Sequence, residues 1–163
     1  ERIDEERFPG PEPGKFCCIY ICTRGMGANA TPLHVAASRN FPEAVLLLLE
    51  SGLDVNVRGG YDHATPLHLA AWNGRLEAIE LLLEKGAGID LESGKRHRNS
   101  PLGWAIVSGA VEAVRIFLRR GARIDSNHLK DAIDGGEGDF KNYSQATAER
   151  YREIYKLLQS ALN

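Results

Sequence analysis

The apolar residues of this chain follow one pattern that occurs three times in succession. Each unit has a short segment with one leucine and small residues, then a longer segment rich in aliphatic side chains. Two landmarks keep the same register in every unit: a leucine in the first segment and, 19 residues later, a glycine after the second. They are Leu33 with Gly52, Leu67 with Gly86, and Leu102 with Gly121. Such a fixed period indicates a protein built from stacked copies of one structural unit.

The first segment of each unit is predicted to be a short helix. Thr31, Thr65 and Ser100 each precede a proline. There a hydroxyl can cap the first turn, and proline fills a position whose N–H has no helical partner. The small residues that follow allow neighbouring helices to approach closely.

The second segment predicts another helix. In the middle unit Ala78, Ile79, Leu82 and Leu83 fall on one helical face. The glycine at the end suits a left-handed helix terminus. Extended residues follow, namely Val55, Ile89 and Ile124. Each unit is therefore predicted to consist of two helices followed by an extended finger.

These residues resemble the ankyrin repeat, whose signature includes T-P-L-H-x-A and a period near 33. The chain has TPLHVAA at 31–37 and TPLHLAA at 65–71, and the resemblance covers about residues 24–125. It implies an all-α solenoid of stacked helix-turn-helix units with finger loops. It also implies that His34 and His68 link adjacent loops. The third unit departs from the signature, because Gly103 stands in the histidine's place and is followed by Trp104, which we expect to fill space in the stack.

The repeat divides the chain into six parts. We expect a polar tail, an atypical N-terminal cap or partial repeat with the first finger, three repeats, and a degenerate capping repeat that contains a polar insertion. The predicted bounds are 1–14, 15–30, 31–64, 65–99, 100–125 and 126–163, with the insertion at 134–148. We expect this insertion to be an unstructured loop, although its aromatic residues leave a functional loop open.

Charge and hydropathy exclude several classes of protein. The 20 basic and 22 acidic residues nearly cancel, so we expect neither nucleic acid nor membrane as a partner. The start of the chain is too polar for a signal peptide. The chain begins at Glu1 and has its only methionine at Met26, which leads us to expect a piece of a longer protein. We predict a cytoplasmic monomer.

Three cysteines, Cys17, Cys18 and Cys22, lie within six residues. Adjacent cysteines pair poorly, and an odd number leaves a free thiol. A zinc site needs four ligands, and no second Cys or His pair follows at a suitable distance. We interpret the three as structural thiols in a reducing compartment, with a metal or redox sensor as the less favoured alternative.

Enzyme motifs are lacking in the sequence, which has no phosphate-binding glycine loop, H-E-x-x-H or serine elbow. We therefore predict no catalytic activity, no cofactor and no metal. The resemblance instead implies a protein-binding module that uses finger tips and the concave side of each first helix. Carried over by position, the candidate partner-binding residues are Arg39, Tyr61, Asp62, His63, Trp72, Asn73, Arg96, His97, Arg98 and Ser108.

Two of these features suggest a class of ligand. Tyr61 and Trp72 are large side chains at positions that the fold does not need to fill, and we expect them to face one groove. The run KRHR at 95–98 adds positive charge. Together they predict an acidic or phosphorylated peptide with an apolar anchor. A soluble finger tip explains KRHR equally well. A regulatory or targeting domain that binds its own neighbouring domain in a longer multidomain enzyme or effector remains the alternative function.

Overall fold

The computed structural model describes residues 29–94, 99–137 and 145–162. Within these ranges the chain forms eight α-helices and no β-strand, which confirms the all-α prediction. The helices are α1 Pro32–Ser38, α2 Pro42–Glu50, α3 Pro66–Trp72, α4 Leu76–Glu84, α5 Pro101–Val107, α6 Val111–Arg119, α7 Ser126–Glu137 and α8 Gln145–Leu162. A 3₁₀ turn, Tyr61–His63, lies between α2 and α3.

The first helices of the units begin where the sequence predicts. Thr31, Thr65 and Ser100 are extended N-cap residues, and a proline follows each at the first helical position. The Ser100 hydroxyl accepts a hydrogen bond from the Gly103 N–H at 3.2 Å. At Thr31 and Thr65 the backbone N–H instead donates to the histidine three residues later. Each cap therefore satisfies backbone groups that a helix start leaves unpaired.

The second helices end at the predicted glycines. Gly52, Gly86 and Gly121 have φ of 93°, 87° and 79°, in the left-handed region. A Cβ at these glycines would meet nothing within 4 Å, so the requirement for glycine is conformational rather than steric.

The helices pack in two layers. The inner helices α1, α3, α5 and α7 contact one another in order, and the outer helices α2, α4, α6 and α8 do the same. The repeated leucines Leu33, Leu67 and Leu102 are fully buried between them. Trp104 is 7% exposed, which confirms that it fills space inside the stack.

The last unit has a shorter connection to the repeat before it and two longer helices. The chain passes from the end of α6 at Arg119 to the start of α7 at Ser126, so this junction has no long finger. Helix α7 extends to Glu137 and α8 begins at Gln145, and both enter the segment 134–148 that we expected to be a loop. That expectation is wrong at the two ends of the segment, where the polar residues continue the two helices.

Several predictions concern residues outside those that the structure describes. They include the N-terminal tail, residues 15–28 of the predicted cap at 15–30, the three cysteines and the KRHR run. Within the described residues, no helix is both long and apolar enough to span a bilayer.

Candidate partner-binding face

The two signature histidines are buried and fully hydrogen-bonded. His34 Nδ1 accepts from the Thr31 N–H at 3.1 Å, and its Nε2 lies 3.0 Å from the carbonyl oxygen of Ala64, the residue directly before the next unit. His68 repeats this with Thr65 and with the Asn99 carbonyl at 3.1 Å. An Nδ1 that accepts a hydrogen bond leaves the proton on Nε2, which donates to the carbonyl. The predicted link between adjacent loops is therefore present in both units.

Burial keeps these histidines neutral. It lowers the pKa of His34, and it lowers the pKa of His68 to about 4, despite the hydrogen bond to Asn99 that opposes the shift. A neutral imidazole whose two nitrogens are both engaged is a structural group rather than a proton-transfer catalyst.

In the third unit an asparagine takes over the role of the missing histidine. A Cβ at Gly103 would overlap the side chain of Asn99. The Asn99 Nδ2 donates to Asp131 Oδ2 of the last unit at 3.3 Å. The space that histidine occupies elsewhere is thus filled by a carboxamide from the finger, and glycine is the residue that leaves room for it.

The last unit regains a histidine, and its Nε2 has a different partner. The Asp125 N–H donates to His128 Nδ1 at 3.1 Å, and the His128 N–H donates to Asp125 Oδ1 at 3.0 Å. His128 Nε2 lies 3.1 Å from the Ser100 hydroxyl of the preceding unit. Whereas the first two histidines bond forward along the stack, this one bonds backward.

The ends of the inner helices form one surface, which we call the inner face. It comprises the side chains at equivalent positions near the C-termini of α1, α3 and α5, namely Ser38, Arg39, Trp72, Asn73, Val107 and Ser108. Trp72 and Val107 are 47% and 42% exposed. The repeat therefore places four predicted residues, Arg39, Trp72, Asn73 and Ser108, on one side of the stack.

An aromatic cluster packs against the buried side of Trp72. Its ring meets that of Trp104 edge to face, with centroids 5.9 Å apart and planes at 76°. Trp104 in turn meets His68 at 5.3 Å and 71°. Trp72 is consequently half packed against the fold and half open to solvent.

Two of the other predicted residues make local hydrogen bonds. The Asn73 Nδ2 donates to the Leu69 carbonyl at 2.8 Å, and the Ser108 hydroxyl donates to the Ala105 carbonyl at 3.1 Å. Both interactions satisfy carbonyls in the last turn of an inner helix. The side chain of Arg39 is exposed.

The second finger carries the predicted Asp62 and His63. Both have positive φ, 52° and 51°, and so form a tight turn. The Asp62 carbonyl accepts from the Gly94 N–H at 2.5 Å, and Arg58 Nη1 donates to the Glu92 carbonyl at 2.9 Å. Neighbouring fingers are therefore joined by one backbone hydrogen bond and by the Arg58 side chain.

The remaining predicted residues lie beyond what the structure describes. Arg96, His97 and Arg98 fall outside its ranges, and Tyr61 is described only as part of the 3₁₀ turn. That Tyr61 faces the same groove as Trp72 stays a prediction. Among the described residues, no group of His, Cys, Asp or Glu has the arrangement of a metal site.

A family model for ankyrin repeats in three copies matches residues 14–93 and 60–128. The chain belongs to the ankyrin repeat family. Among solved structures it is similar to the human ASB11 ankyrin repeat domain, with 26% identity and a TM-score of 0.63 over 80% of this chain. The match spans 54% of that domain, about half its length. No curated protein matches the chain. Ankyrin repeats generally form protein-binding modules rather than enzymes.

Proposed function

We propose that this ankyrin repeat chain is a non-catalytic module that binds another protein through its finger tips and its inner face. The observation that carries the proposal is Trp72, a tryptophan that is half exposed at a position where the first repeat has a buried serine, Ser38. Tryptophan is among the residues that contribute most to protein interfaces. A solvated surface has no need of one at this position.

The ligand that best fits is an acidic or phosphorylated peptide with an apolar anchor. Trp72 supplies the apolar contact, and Lys95, Arg96 and Arg98 in the third finger supply positive charge. Arginine binds carboxylate and phosphate through two parallel hydrogen bonds, which favours such ligands over neutral ones. We propose that the chain binds this ligand as a monomer, without cofactor, nucleic acid or membrane.

Affinity capture from a lysate of the source organism, read by mass spectrometry, tests the proposed function. The native chain is compared with Trp72→Ala combined with Arg96→Ala. The matched control is Leu47→Ala, which removes an apolar side chain that is 66% exposed on outer helix α2. We expect the native chain and the control to capture a protein that the double variant does not capture. Equal capture by all three would place recognition elsewhere on the chain.

A thermal melt of each variant accompanies the capture. Trp72 contacts Trp104, so the alanine variant also removes a packing interaction. A variant that melts as the native chain does and still loses the partner has lost a contact surface, rather than its fold.

A further inference from the structure

The aromatic cluster presents Trp72 in a fixed position before any ligand arrives. His68 is held by Thr65 on one side and by Asn99 on the other, Trp104 packs against His68, and Trp72 packs against Trp104. A side chain that is already ordered loses little conformational entropy on binding. The exposed half of Trp72 is therefore a preorganised contact surface.

Val107 extends this surface into the next repeat. It occupies the position in α5 that Trp72 occupies in α3, and these two helices pack directly together. Packed helices have axes about 8–10 Å apart. Trp72 and Val107 thus form an apolar platform that one large side chain of a ligand can cover.

Two arginines lie on the N-terminal side of the platform. Arg39 directly follows Ser38, the residue that takes the place of Trp72 in α1. Arg75, in the turn after α3, donates from Nε to the Ser38 carbonyl at 3.0 Å. This bond brings a second exposed guanidinium to the end of α1, with its two Nη groups still available among the described residues.

Negative charge is scarce on this surface. Helices α1, α3 and α5 contain no Asp or Glu. The nearby carboxylates of Glu43 and Glu77 belong to the first turns of the outer helices α2 and α4, and Glu77 accepts a hydrogen bond from Asn40 Nδ2 at 3.2 Å. The inner face therefore combines an apolar platform with adjacent cations.

We propose that Trp72 and Val107 bind one large apolar side chain of a peptide, while Arg39 and Arg75 bind a carboxylate next to it. This inference rests on the proposed function and deepens it. It assigns the recognition of negative charge to the inner face, independently of the finger at 95–98. We assign this carboxylate to an acidic side chain beside the apolar residue, and a free C-terminus is the alternative outcome of the test.

The probes are synthetic peptides that contain one Leu or Phe flanked by Glu, by Gln or by Lys. Each sequence is made with a free and with an amidated C-terminus. The chain's two tryptophans both belong to the cluster, so tryptophan fluorescence and its quenching by acrylamide report directly on the platform. At low salt we expect the Glu set to bind on the order of tenfold more tightly than the Lys set and to protect Trp72 from the quencher. If amidation alone abolishes binding, the carboxylate is the C-terminus, and the assignment to an acidic side chain is wrong.

Charge reversal tests the two arginines. We expect Arg39→Glu combined with Arg75→Glu to reverse the preference, so that the Lys set binds more tightly than the Glu set. Arg119→Glu, a reversal at an exposed position on outer helix α6, is the matched control and should leave the preference unchanged. Val107→Glu adds a carboxylate to the platform without touching the aromatic cluster, and we expect it to weaken binding of the Glu set.

The outcomes separate this inference from the proposed function. If neither the arginine reversal nor Val107→Glu changes the affinity for the peptides, the inference is overturned. The chain would then be a binding module with another site. A native chain that binds none of the peptide sets would also overturn it. The proposed function is decided separately, by the capture of a partner from lysate.

Discussion

The two junctions between the complete repeats differ in kind from the junction that joins the last repeat to the stack. Each of the first two has a buried histidine that bonds forward to a backbone carbonyl. At the last, His128 bonds backward to the Ser100 hydroxyl, and the Tyr151 hydroxyl donates to the Val107 carbonyl at 2.6 Å. Asn99 and Arg115 also bond to the carboxylates of Asp131 and Glu153 there. One residue pattern serves every internal junction, whereas a terminal repeat must end the stack and face water on its outer side.

The largest expected effect comes from the core of the internal repeats. Leu67 and Leu158 are both fully buried, the first in the middle repeat and the second in the last. Leucine-to-alanine changes in cores cost about 2–5 kcal/mol. We expect Leu67→Ala near the upper end, since it weakens contacts with repeats on both sides, and Leu158→Ala near the lower end. Urea unfolding measures both. Equal losses would show that the last repeat is as strongly coupled as the internal ones.

Acid should weaken the internal junctions. The pKa of His68 is about 4 in the folded chain and about 6.5 when unfolded, so between these values the unfolded chain binds more protons. The stabilisation that neutral His68 contributes is complete above pH 6.5. It is lost as the pH falls towards 4, which lowers the free energy of unfolding by up to about 3 kcal/mol. We expect the free energy of unfolding to fall between pH 7 and pH 5, and His68→Gln to flatten that dependence.

The last junction should respond less to the same change in pH. Burial lowers the pKa of His128 too, but the nearby carboxylates of Asp125, Asp131 and Asp90 favour its charged form and oppose the shift. His128→Gln is therefore the matched control. If His128→Gln flattens the pH dependence of the free energy of unfolding as much as His68→Gln does, the histidines of the two kinds of junction do not differ in their response to acid.

Restoring the signature histidine in the third repeat gives an intermediate effect. A side chain at position 103 collides with Asn99, so we expect Gly103→His to destabilise the fold by about 1–3 kcal/mol. Combined with Asn99→Ala, which clears the space, it should recover part of that loss. A double-mutant cycle by chemical denaturation measures the coupling. Additive effects would mean that Asn99 does not replace the histidine.

The smallest effect is expected at the last junction. Tyr151→Phe removes the hydrogen bond to the Val107 carbonyl and keeps the ring, which is 5% exposed. We expect a loss of about 1 kcal/mol in the free energy of unfolding. An unchanged midpoint of urea unfolding would show that water replaces the hydroxyl without cost.

The repeated elements could be predicted from the sequence because each landmark occurs three times in register. The helix starts at Thr31, Thr65 and Ser100 and the terminal glycines follow from local backbone chemistry, and the structure has them as predicted. Burial of Trp104 was also foreseen, since it takes the place of an aliphatic core residue.

Features that occur once were missed. The Asn99 side chain, from a finger, fills the space that a histidine on a helix fills in the other units, and no repeated pattern in the sequence indicates this. The bond from Arg75 to the Ser38 carbonyl joins residues 37 positions apart and became visible only in three dimensions. In the last repeat the helices continue into a polar segment, where the apolar periodicity that predicts helices is absent.

The most direct test of the account is a pair of NMR signals. The two tryptophans give two indole N–H resonances, and Trp72→Phe assigns them. On addition of the captured partner, or of a peptide from the Glu set, we predict a large change in the Trp72 resonance and a smaller one for Trp104, which is almost fully buried. Binding that leaves both resonances unchanged would contradict the claim that Trp72 on the inner face is the contact surface of this ankyrin repeat domain.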